Sequence, residues 1–88
     1  MKQSPNPSTS DQIIMYSTSW CPDCQRARRF LDERQVPYLD VDIEEDADAM
    51  TLVKKLNHGN RSVPTIVFPD GSMLVEPSPA ELASKVDQ

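Results

Sequence analysis

The chain has 88 residues, of which 38% are hydrophobic and 26% are charged, and its formal net charge is −5. A chain of this length has room for one domain with a single core, and its apolar content suits a folded protein better than a disordered one. The acidic balance disfavours a nucleic-acid partner, because phosphate binding needs clustered lysine and arginine. No apolar run approaches the roughly 20 residues that span a bilayer. We therefore expect a small globular protein with no nucleic-acid or membrane partner.

The N-terminal segment and the number of cysteines indicate where the protein is located and how its cysteines are used. Residues 1–11, MKQSPNPSTSD, are polar and contain two prolines, so we expect a flexible tail followed by a folded domain over residues 12–88. The same segment lacks the apolar middle of a signal peptide, which favours a cytoplasmic location. Cys21 and Cys24 are the two cysteines of the sequence. Two are too few for the disulfide framework of a small secreted domain, and their close spacing favours a reactive pair.

The predicted domain begins with a strand and a helix. Ile13–Tyr16 is a short apolar run bounded by polar residues, which predicts a buried strand. A helix is expected to begin at Cys21-Pro22, because the missing N–H of proline is no loss at the first helical position, and to end before Pro37. Apolar residues recur on one side of this helix at spacings of three and four, namely Ala27, Phe30 and Leu31. That spacing predicts one buried helix face.

Four arginines lie in or just after this helix, at positions 26, 28, 29 and 34. We interpret them as a solvated face whose charges pair with Asp32 and Glu33. The alternative, a small basic patch for a nucleic acid, is disfavoured by the net charge of −5.

A second strand and a second helix are predicted next. Tyr38–Ile43 alternates apolar and acidic residues, as a strand with one covered face would, and the covered side would carry Leu39, Val41 and Ile43. Acidic residues between positions 44 and 48 then precede a run with apolar residues Met50, Val53 and Leu56. Negative charge is favourable where a helix presents its positive end, so a helix is expected here, closed by Gly59.

The last part of the chain predicts a hairpin and a short helix. Thr65–Phe68 and Ser72–Val75 flank Pro69-Asp70-Gly71, a turn signal between antiparallel strands. Ser78-Pro79-Ala80-Glu81 combines an N-cap serine, a proline at the first helical position and a glutamate at the third. This capping box predicts a final helix with Leu82 and Val86 directed inward.

The predicted order is strand, helix, strand, helix, strand, strand, helix. The first two strands are joined by a helix and must pair in parallel through a right-handed crossover, whereas the last two pair as an antiparallel hairpin. The sequence therefore predicts an α/β domain with a mixed four-stranded sheet flanked by three helices.

The Cys21-Pro22-Asp23-Cys24 motif at the start of a helix carries the strongest chemical signal. A cysteine at the helix cap meets unpaired backbone N–H groups and the positive end of the helix dipole, which favour its thiolate. Cys24 lies three residues on, on the same side of the helix. We therefore expect Cys21 to attack a disulfide, and Cys24 to displace the bound partner and leave an internal disulfide.

A metal site is the main alternative to a redox role for the cysteine pair. A structural zinc or iron site would want four ligands, and beyond the cysteine pair the sequence offers His58 and carboxylates, so no metal and no tightly bound cofactor are expected. His58 is interpreted as an exposed side chain near a helix end. Trp20 could pack on the domain or line a substrate groove beside Cys21, and the sequence leaves both open.

With its C-P-D-C motif, its element order and Ser62-Val63-Pro64 before a strand, the chain resembles the glutaredoxin branch of the thioredoxin superfamily over nearly all of residues 12–87. The segments Gly59–Thr65 and Phe68–Gly71 are most similar to mycoredoxin-like glutaredoxins. The resemblance implies a thioredoxin-like fold and a monomeric enzyme that acts on small thiols and disulfide-containing proteins. It also implies a cis peptide before Pro64, so that the Val63 backbone pairs with an extended substrate beside Trp20, Pro22 and Asp23.

Two departures from the glutaredoxin pattern bear on the reducing thiol. Asp23 stands where many glutaredoxins have tyrosine, and the paired glycines with an acidic helix start that usually hold the carboxylate of glutathione are replaced by residues 72–79. A carboxylate beside Cys21 would also repel an anionic thiol. These departures therefore favour mycothiol, which is neutral, over glutathione as the reducing thiol.

Two further functions remain open at this point. A dithiol donor to ribonucleotide reductase, recycled by thioredoxin reductase, has a similar length but carries a Trp-Ser-Gly-Phe-Arg-Pro-type segment that this sequence lacks. An iron-sulfur carrier that binds a cluster between two monomers is the alternative of a different class. A second cysteine poised to resolve a mixed disulfide favours exchange over stable ligation.

Overall fold

A computed structural model describes residues 12–87 of the chain, and its elements follow the predicted order. The elements are β1 (Ile13–Ser17), α1 (Pro22–Glu33), β2 (Tyr38–Asp42), α2 (Ala47–Leu56), β3 (Thr65–Val67), β4 (Met73–Val75) and α3 (Pro79–Val86). The predicted tail, residues 1–11, lies outside the described residues. Within the described range, no helix is both long enough and apolar enough to cross a membrane.

The four strands form one mixed sheet in the order β2-β1-β3-β4. β1 pairs in parallel with β2, with Ile13 opposite Tyr38, and antiparallel with β3, with Met15 opposite Ile66. β3 and β4 form the predicted antiparallel hairpin. The predicted α/β architecture with a mixed four-stranded sheet is confirmed.

Each face of the sheet has its own hydrophobic core, because side chains along a strand alternate between the two faces. On one face, Ile14 and Tyr16 of β1 pack with Ala49 and Val53 of α2. On the other face, Met15 of β1 and Ile66 of β3 pack with Ala27, Phe68 and Leu82. α2 therefore covers one face of the sheet, and α1 and α3 together cover the other.

One strand is less covered than its sequence pattern predicts. β2 lies at the edge of the sheet, and Leu39 within it is 39% exposed. Of the predicted covered side, Val41 is half-buried and Ile43 is fully buried. β2 has a neighbouring strand on one side only, which leaves part of the predicted covered side exposed.

The helix ends follow the turn residues of the sequence. α1 ends at Glu33, and Gln35 after it takes a positive φ of 57°. After α2, Gly59 has φ 96° and its N–H donates to the carbonyl oxygen of Lys54 at 2.6 Å. A glycine is favoured there because side chains rarely tolerate this φ. The predicted capping box of α3 is present in full.

Three loops meet at one end of the sheet and so define the place where a site can form. Ser17 at the end of β1 is opposite Asp42 at the end of β2, and Tyr16 is opposite Thr65 at the start of β3. The loops at residues 18–21, 43–46 and 62–64 are therefore neighbours. The cysteine motif, the loop before α2 and the segment before Pro64 come together although 40 residues separate the first from the last in sequence.

Candidate active site

Cys21 is the N-cap residue of α1, as its sequence position predicts. Its backbone is extended, with φ −82° and ψ 117°, and Pro22 occupies the first turn of the helix. The Cys21 sulfur accepts a hydrogen bond from the backbone N–H of Cys24 at 3.1 Å. A sulfur at this position receives the N–H donation that a serine or aspartate oxygen receives at an ordinary cap. Helix-cap geometry thus places the first thiol beside the positive end of α1.

The two cysteines are both free thiols, and they differ in access. Cys21 retains 5% exposure, whereas Cys24 has none. Burial, followed by the hydrogen bond with Cys21, raises the pKa of the Cys24 thiol from 9.0 to about 12. The backbone N–H of Thr18 and the positive charge of Arg28 act in the opposite direction. At neutral pH, Cys24 is therefore an uncharged thiol on the interior side of the motif.

The loop before β3 lies directly against the first thiol. The Val63–Pro64 peptide is cis, as the family resemblance implies, and the Cys21 S–H points to the Val63 carbonyl oxygen at 3.8 Å. The Pro64 carbonyl accepts from the backbone N–H of Glu76 at 2.8 Å, which ties this loop to the segment before α3. The Val63 carbonyl oxygen therefore faces the Cys21 sulfur, although 42 residues separate Cys21 from Val63 in sequence.

A buried polar cluster holds this loop in place from behind. The Asn57 side-chain amide at the end of α2 donates to the Val53 carbonyl at 2.9 Å and to Thr65 Oγ1 at 3.2 Å. Thr65 Oγ1 in turn donates to the Ser62 carbonyl at 2.7 Å. Asn57 and Thr65 are both buried, so these bonds are shielded from water. No sequence signal pointed to Asn57, because its role depends on a contact across the fold.

Trp20 lies on the surface beside the cysteine motif. Its side chain is 60% exposed, so it is not part of the hydrophobic core. The indole Nε1–H donates to Glu44 Oε1 at 3.0 Å, which orients the ring across the loop before α2. Glu44 was predicted to belong to an acidic helix start, and here it contacts a residue adjacent to Cys21. An exposed aromatic ring therefore flanks the thiol.

The remaining residues of the motif are exposed. Pro22 and Asp23 both face solvent. Asp23 forms an ion pair with Arg26 one helical turn later, and both side chains are more than half exposed. This pairing offsets part of the negative charge that Asp23 brings to the site, although an exposed ion pair contributes little to stability.

Of the four arginines in and just after α1, those at positions 26, 29 and 34 are exposed as predicted, but the ion pairs are not formed with Asp32 and Glu33. Arg26 pairs with Asp23, Arg28 with Asp40 and Arg34 with Asp87. Asp32 instead accepts a hydrogen bond from Tyr38 Oη at 3.1 Å. Helical spacing describes neighbours on one helix, whereas Asp40 and Asp87 are brought close by β2 and by the end of α3.

Arg28 is the functional candidate that sequence reasoning missed. Its Nε donates to Asp40 Oδ2 at 2.6 Å, and its Nη2 donates to Ser17 Oγ at 2.9 Å and to the Thr18 carbonyl at 3.2 Å. Burial, the largest single influence, acts to lower the pKa of Arg28, but the hydrogen bond and the charge of Asp40, with smaller contributions from Cys24 and Tyr38, together raise it. Arg28 therefore remains a cation next to the loop that contacts Cys24.

The metal interpretation finds no support in the described range. Within residues 12–87, no three histidine, cysteine or carboxylate side chains are grouped so that they could hold a metal ion. His58 is exposed after the end of α2, and its positive φ of 56° belongs to the turn that includes Gly59.

The start of α3 lies close to the site through the segment 76–79. Ser78 Oγ accepts from the Glu81 N–H at 3.1 Å, and Glu81 Oε1 accepts from the Ser78 N–H at 2.8 Å. Pro79 has no N–H to offer. The groove between α1 and α3 is lined by Asp23, Arg26, Phe30 and Pro77, so it begins at the cysteine motif. Glu76, exposed and with φ 50°, adds another carboxylate to this segment.

Comparison with known proteins agrees with this geometry. The glutaredoxin family model matches residues 13–73. A Mycobacterium tuberculosis protein assigned to the glutaredoxins is 42% identical over 74 residues, which cover 84% of this chain and 88% of that one. Mycoredoxin 1 of Corynebacterium glutamicum is 37% identical over 75 residues, 85% of this chain and 92% of the other. The crystal structure of a glutaredoxin from Archaeoglobus fulgidus superposes with a TM-score of 0.73 over 89% of this chain and 88% of that one, at 23% identity.

Proposed function

The chain belongs to the glutaredoxin family and is a thiol-disulfide oxidoreductase of that type, and from this premise we propose that Cys21 is its attacking thiol and Cys24 its resolving thiol. The observation that supports these roles is the contrast between the two sulfurs. Cys21 caps α1 and retains some exposure, whereas Cys24 is fully buried and its pKa is raised to about 12. An incoming disulfide therefore meets Cys21 first.

The proposed reaction has two exchange steps. The Cys21 thiolate attacks one sulfur of a substrate disulfide, forms a Cys21–substrate bond and expels the other half as a thiol. Cys24 then loses its proton and attacks the Cys21 sulfur, so that a Cys21–Cys24 disulfide forms and the second half of the substrate leaves as a thiol. Two molecules of a low-molecular-weight thiol return the pair to the reduced state and become oxidised to their disulfide.

We assign substrate contact to the residues around Cys21. The Val63 backbone beside the cis bond to Pro64 is placed to pair with an extended substrate strand. Trp20, fixed by Glu44, forms one wall, and Pro22 and Asp23 form the rim on the α1 side. All of these groups come from a single chain, so the site needs no second copy, and we propose a monomer as the acting form and the cytoplasm as its location.

We further propose that the reducing thiol is mycothiol rather than glutathione. In glutathione-using relatives, the glutathione carboxylate is expected at the start of the last helix. Here the backbone N–H groups of Ser78 and Glu81 at the start of α3 already have partners within the chain, because the two residues bond each other. Pro79 has no N–H to offer to an incoming carboxylate. An incoming carboxylate would also face Glu76 and Glu81. A neutral thiol avoids this repulsion.

The roles of the cysteines are tested with the Cys24→Ser variant. We expect it to keep activity on a mixed disulfide of a small thiol, because that exchange needs only Cys21, and to lose the reduction of a protein disulfide. Mass spectrometry of the variant after a single addition of substrate should find the adduct on Cys21. An adduct on another residue, or full activity on the protein disulfide, would contradict the assignment.

The thiol preference is tested by reducing the oxidised protein with saturating mycothiol or saturating glutathione. We expect mycothiol to be faster by about tenfold or more, which corresponds to about 1.4 kcal/mol. The matched variant Glu81→Gln retains the cap geometry without the negative charge, so its glutathione rate should rise. Equal rates for the two thiols in the unmodified protein would refute the preference and leave the cysteine roles intact.

A further inference from the structure

A cation lies one helical turn behind the resolving thiol. Arg28 follows Cys24 by four residues on α1, a spacing that places two side chains next to each other on one side of a helix. The Arg28 side chain is 23% exposed, compared with 58% for Arg26 on the same helix. Its charge therefore lies where water screens it less than it screens the surface arginine.

The peptide groups of Thr18 connect the two side chains. The Cys24 sulfur interacts with the backbone N–H of Thr18, while Arg28 Nη2 donates to the Thr18 carbonyl at 3.2 Å. The guanidinium is also fixed by Ser17 and Asp40, and the Ser17 hydroxyl donates to Asp40 Oδ1 at 2.6 Å. These bonds hold the guanidinium against the end of β1 and the Thr18 peptide that follows it.

Few charges act on Cys24. Within residues 12–87, the ionisable groups that affect it are Cys21 and Arg28, both on α1, and the β1–α1 loop adds the Thr18 N–H. β2 contributes Asp40 and Tyr38, which act on Arg28. When Cys21 is part of a mixed disulfide, it has no ionisable proton left. Arg28 is then the charged group that remains to influence Cys24.

We propose that Arg28 is a positioning residue for the second exchange step, in which its guanidinium stabilises the Cys24 thiolate that attacks Cys21. This inference rests on the proposed roles of the two cysteines. In that step, Cys24 gives up its proton, the Cys24–Cys21 bond forms, the Cys21–substrate bond breaks, and the substrate sulfur leaves with the electron pair and takes up a proton. Arg28 neither donates nor accepts a proton, and acts by its charge.

The experiment follows the two steps separately with one equivalent of the aryl disulfide DTNB and the full-length reduced protein. The first release of the coloured aryl thiolate reports the attack by Cys21 on DTNB. The second release reports the attack by Cys24 on Cys21, which displaces the aryl thiolate bound there. We expect Arg28→Gln to leave the first rate unchanged and to slow the second about tenfold near neutral pH. The pH profile of the second rate should move upward by about one unit, since the thiolate fraction falls tenfold per unit.

Three matched variants separate charge from structure. Arg29→Gln removes an exposed arginine of the same helix and should change neither rate. Arg28→Lys keeps the charge without the guanidinium fork, and its second rate should stay within about threefold of that of the unmodified protein. Asp40→Asn breaks the ion pair but keeps Arg28, so its second rate should be at least as fast as before.

Several outcomes would overturn the role of Arg28. One is an unchanged pH profile in Arg28→Gln, and another is an equal slowing in Asp40→Asn, which would indicate a structural role. If circular dichroism shows that Arg28→Gln is unfolded, a tenfold slowing in Arg28→Lys or Asp40→Asn would still count against the proposal. A missing second phase in the unmodified protein would refute the dithiol mechanism itself, so the two failures are distinguishable.

Discussion

Two helices of this protein begin with the same arrangement of residues and serve different purposes. α1 begins at Cys21-Pro22-Asp23-Cys24 and α3 at Ser78-Pro79-Ala80-Glu81. In both, a proline follows the cap, and the cap side chain accepts a hydrogen bond at 3.1 Å from the backbone N–H three residues later. The N-cap geometry is therefore the same at the starts of α1 and α3.

The difference lies in the atoms at the first and fourth positions. At α3, the Glu81 carboxylate returns to the cap N–H and closes a capping box. At α1, the Cys24 side chain is buried and lies near Thr18 and Arg28 instead. A structural cap becomes a redox site when a sulfur replaces the cap oxygen and a second sulfur is held behind it. The two helices therefore share one cap geometry, and the chemistry of each start depends on its side chains.

The largest effect is expected for Cys21→Ser, which gives α1 the same N-cap residue as α3 and so tests whether the two helix starts differ only in chemistry. We expect turnover on any disulfide to fall to the background, because the nucleophile is lost. The free energy of unfolding should change by no more than about 1 kcal/mol, since serine is a favourable cap residue. Disulfide reduction assays and urea unfolding measure the two effects. A variant that unfolds would show that the sulfur and the oxygen are not equivalent caps, and one that retains turnover would show that Cys21 is not the nucleophile.

The second prediction concerns pH and the buried position of Cys24. Because its pKa is about 12 in the folded protein and 9.0 ordinarily, alkylation of the folded protein near pH 8 should modify Cys24 about 10³-fold more slowly than an unstructured thiol. The protonated thiol is favoured by folding, so its stabilising contribution is fully present below pH 9 and is lost as pH rises towards 12.

Two measurements check this pH dependence. Mass spectrometry over a time course of iodoacetamide treatment gives the two labelling rates, with the Cys21→Ser variant isolating that of Cys24. Chemical unfolding between pH 8 and 11 gives the stability, which should decline less steeply in Cys24→Ala than in the unmodified protein. Rapid labelling of Cys24 in the folded state would contradict the buried, uncharged thiol.

The smallest expected effect lies at the other helix start. Glu81→Ala opens the capping box of α3 and should lower the free energy of unfolding by about 1 kcal/mol. Exchange with a neutral disulfide such as bis(2-hydroxyethyl) disulfide should be unchanged, because Glu81 touches neither cysteine. Glu81→Gln is the matched control, since an amide oxygen can still accept from the Ser78 N–H. A loss of exchange rate in Glu81→Ala would show that the two helix starts are coupled.

Local sequence signals predicted most of the fold. The capping box and the hairpin turn depend on residues close in sequence, and the structure confirms both of them. Leu39 was predicted to be covered and is exposed, because periodicity identifies a face but not whether a strand is at an edge. The arginine pairs were assigned wrongly for a related reason. Their partners Asp40 and Asp87 belong to other elements.

The sequence was sufficient to predict the element order, the parallel pairing of β1 with β2, the β3–β4 hairpin and a dithiol at a helix start, because periodicity, turn residues and short connections act between neighbouring segments. The order of the strands across the sheet, β2-β1-β3-β4, required the tertiary structure. Only the tertiary structure decided what surrounds that dithiol. It set the Val63 carbonyl 3.8 Å from the Cys21 sulfur, fixed Trp20 through Glu44, and placed Arg28 behind Cys24. Burial and the charges near a thiol depend on distances in space, and parallel pairing of β1 with β2 brings together residues that no local pattern connects.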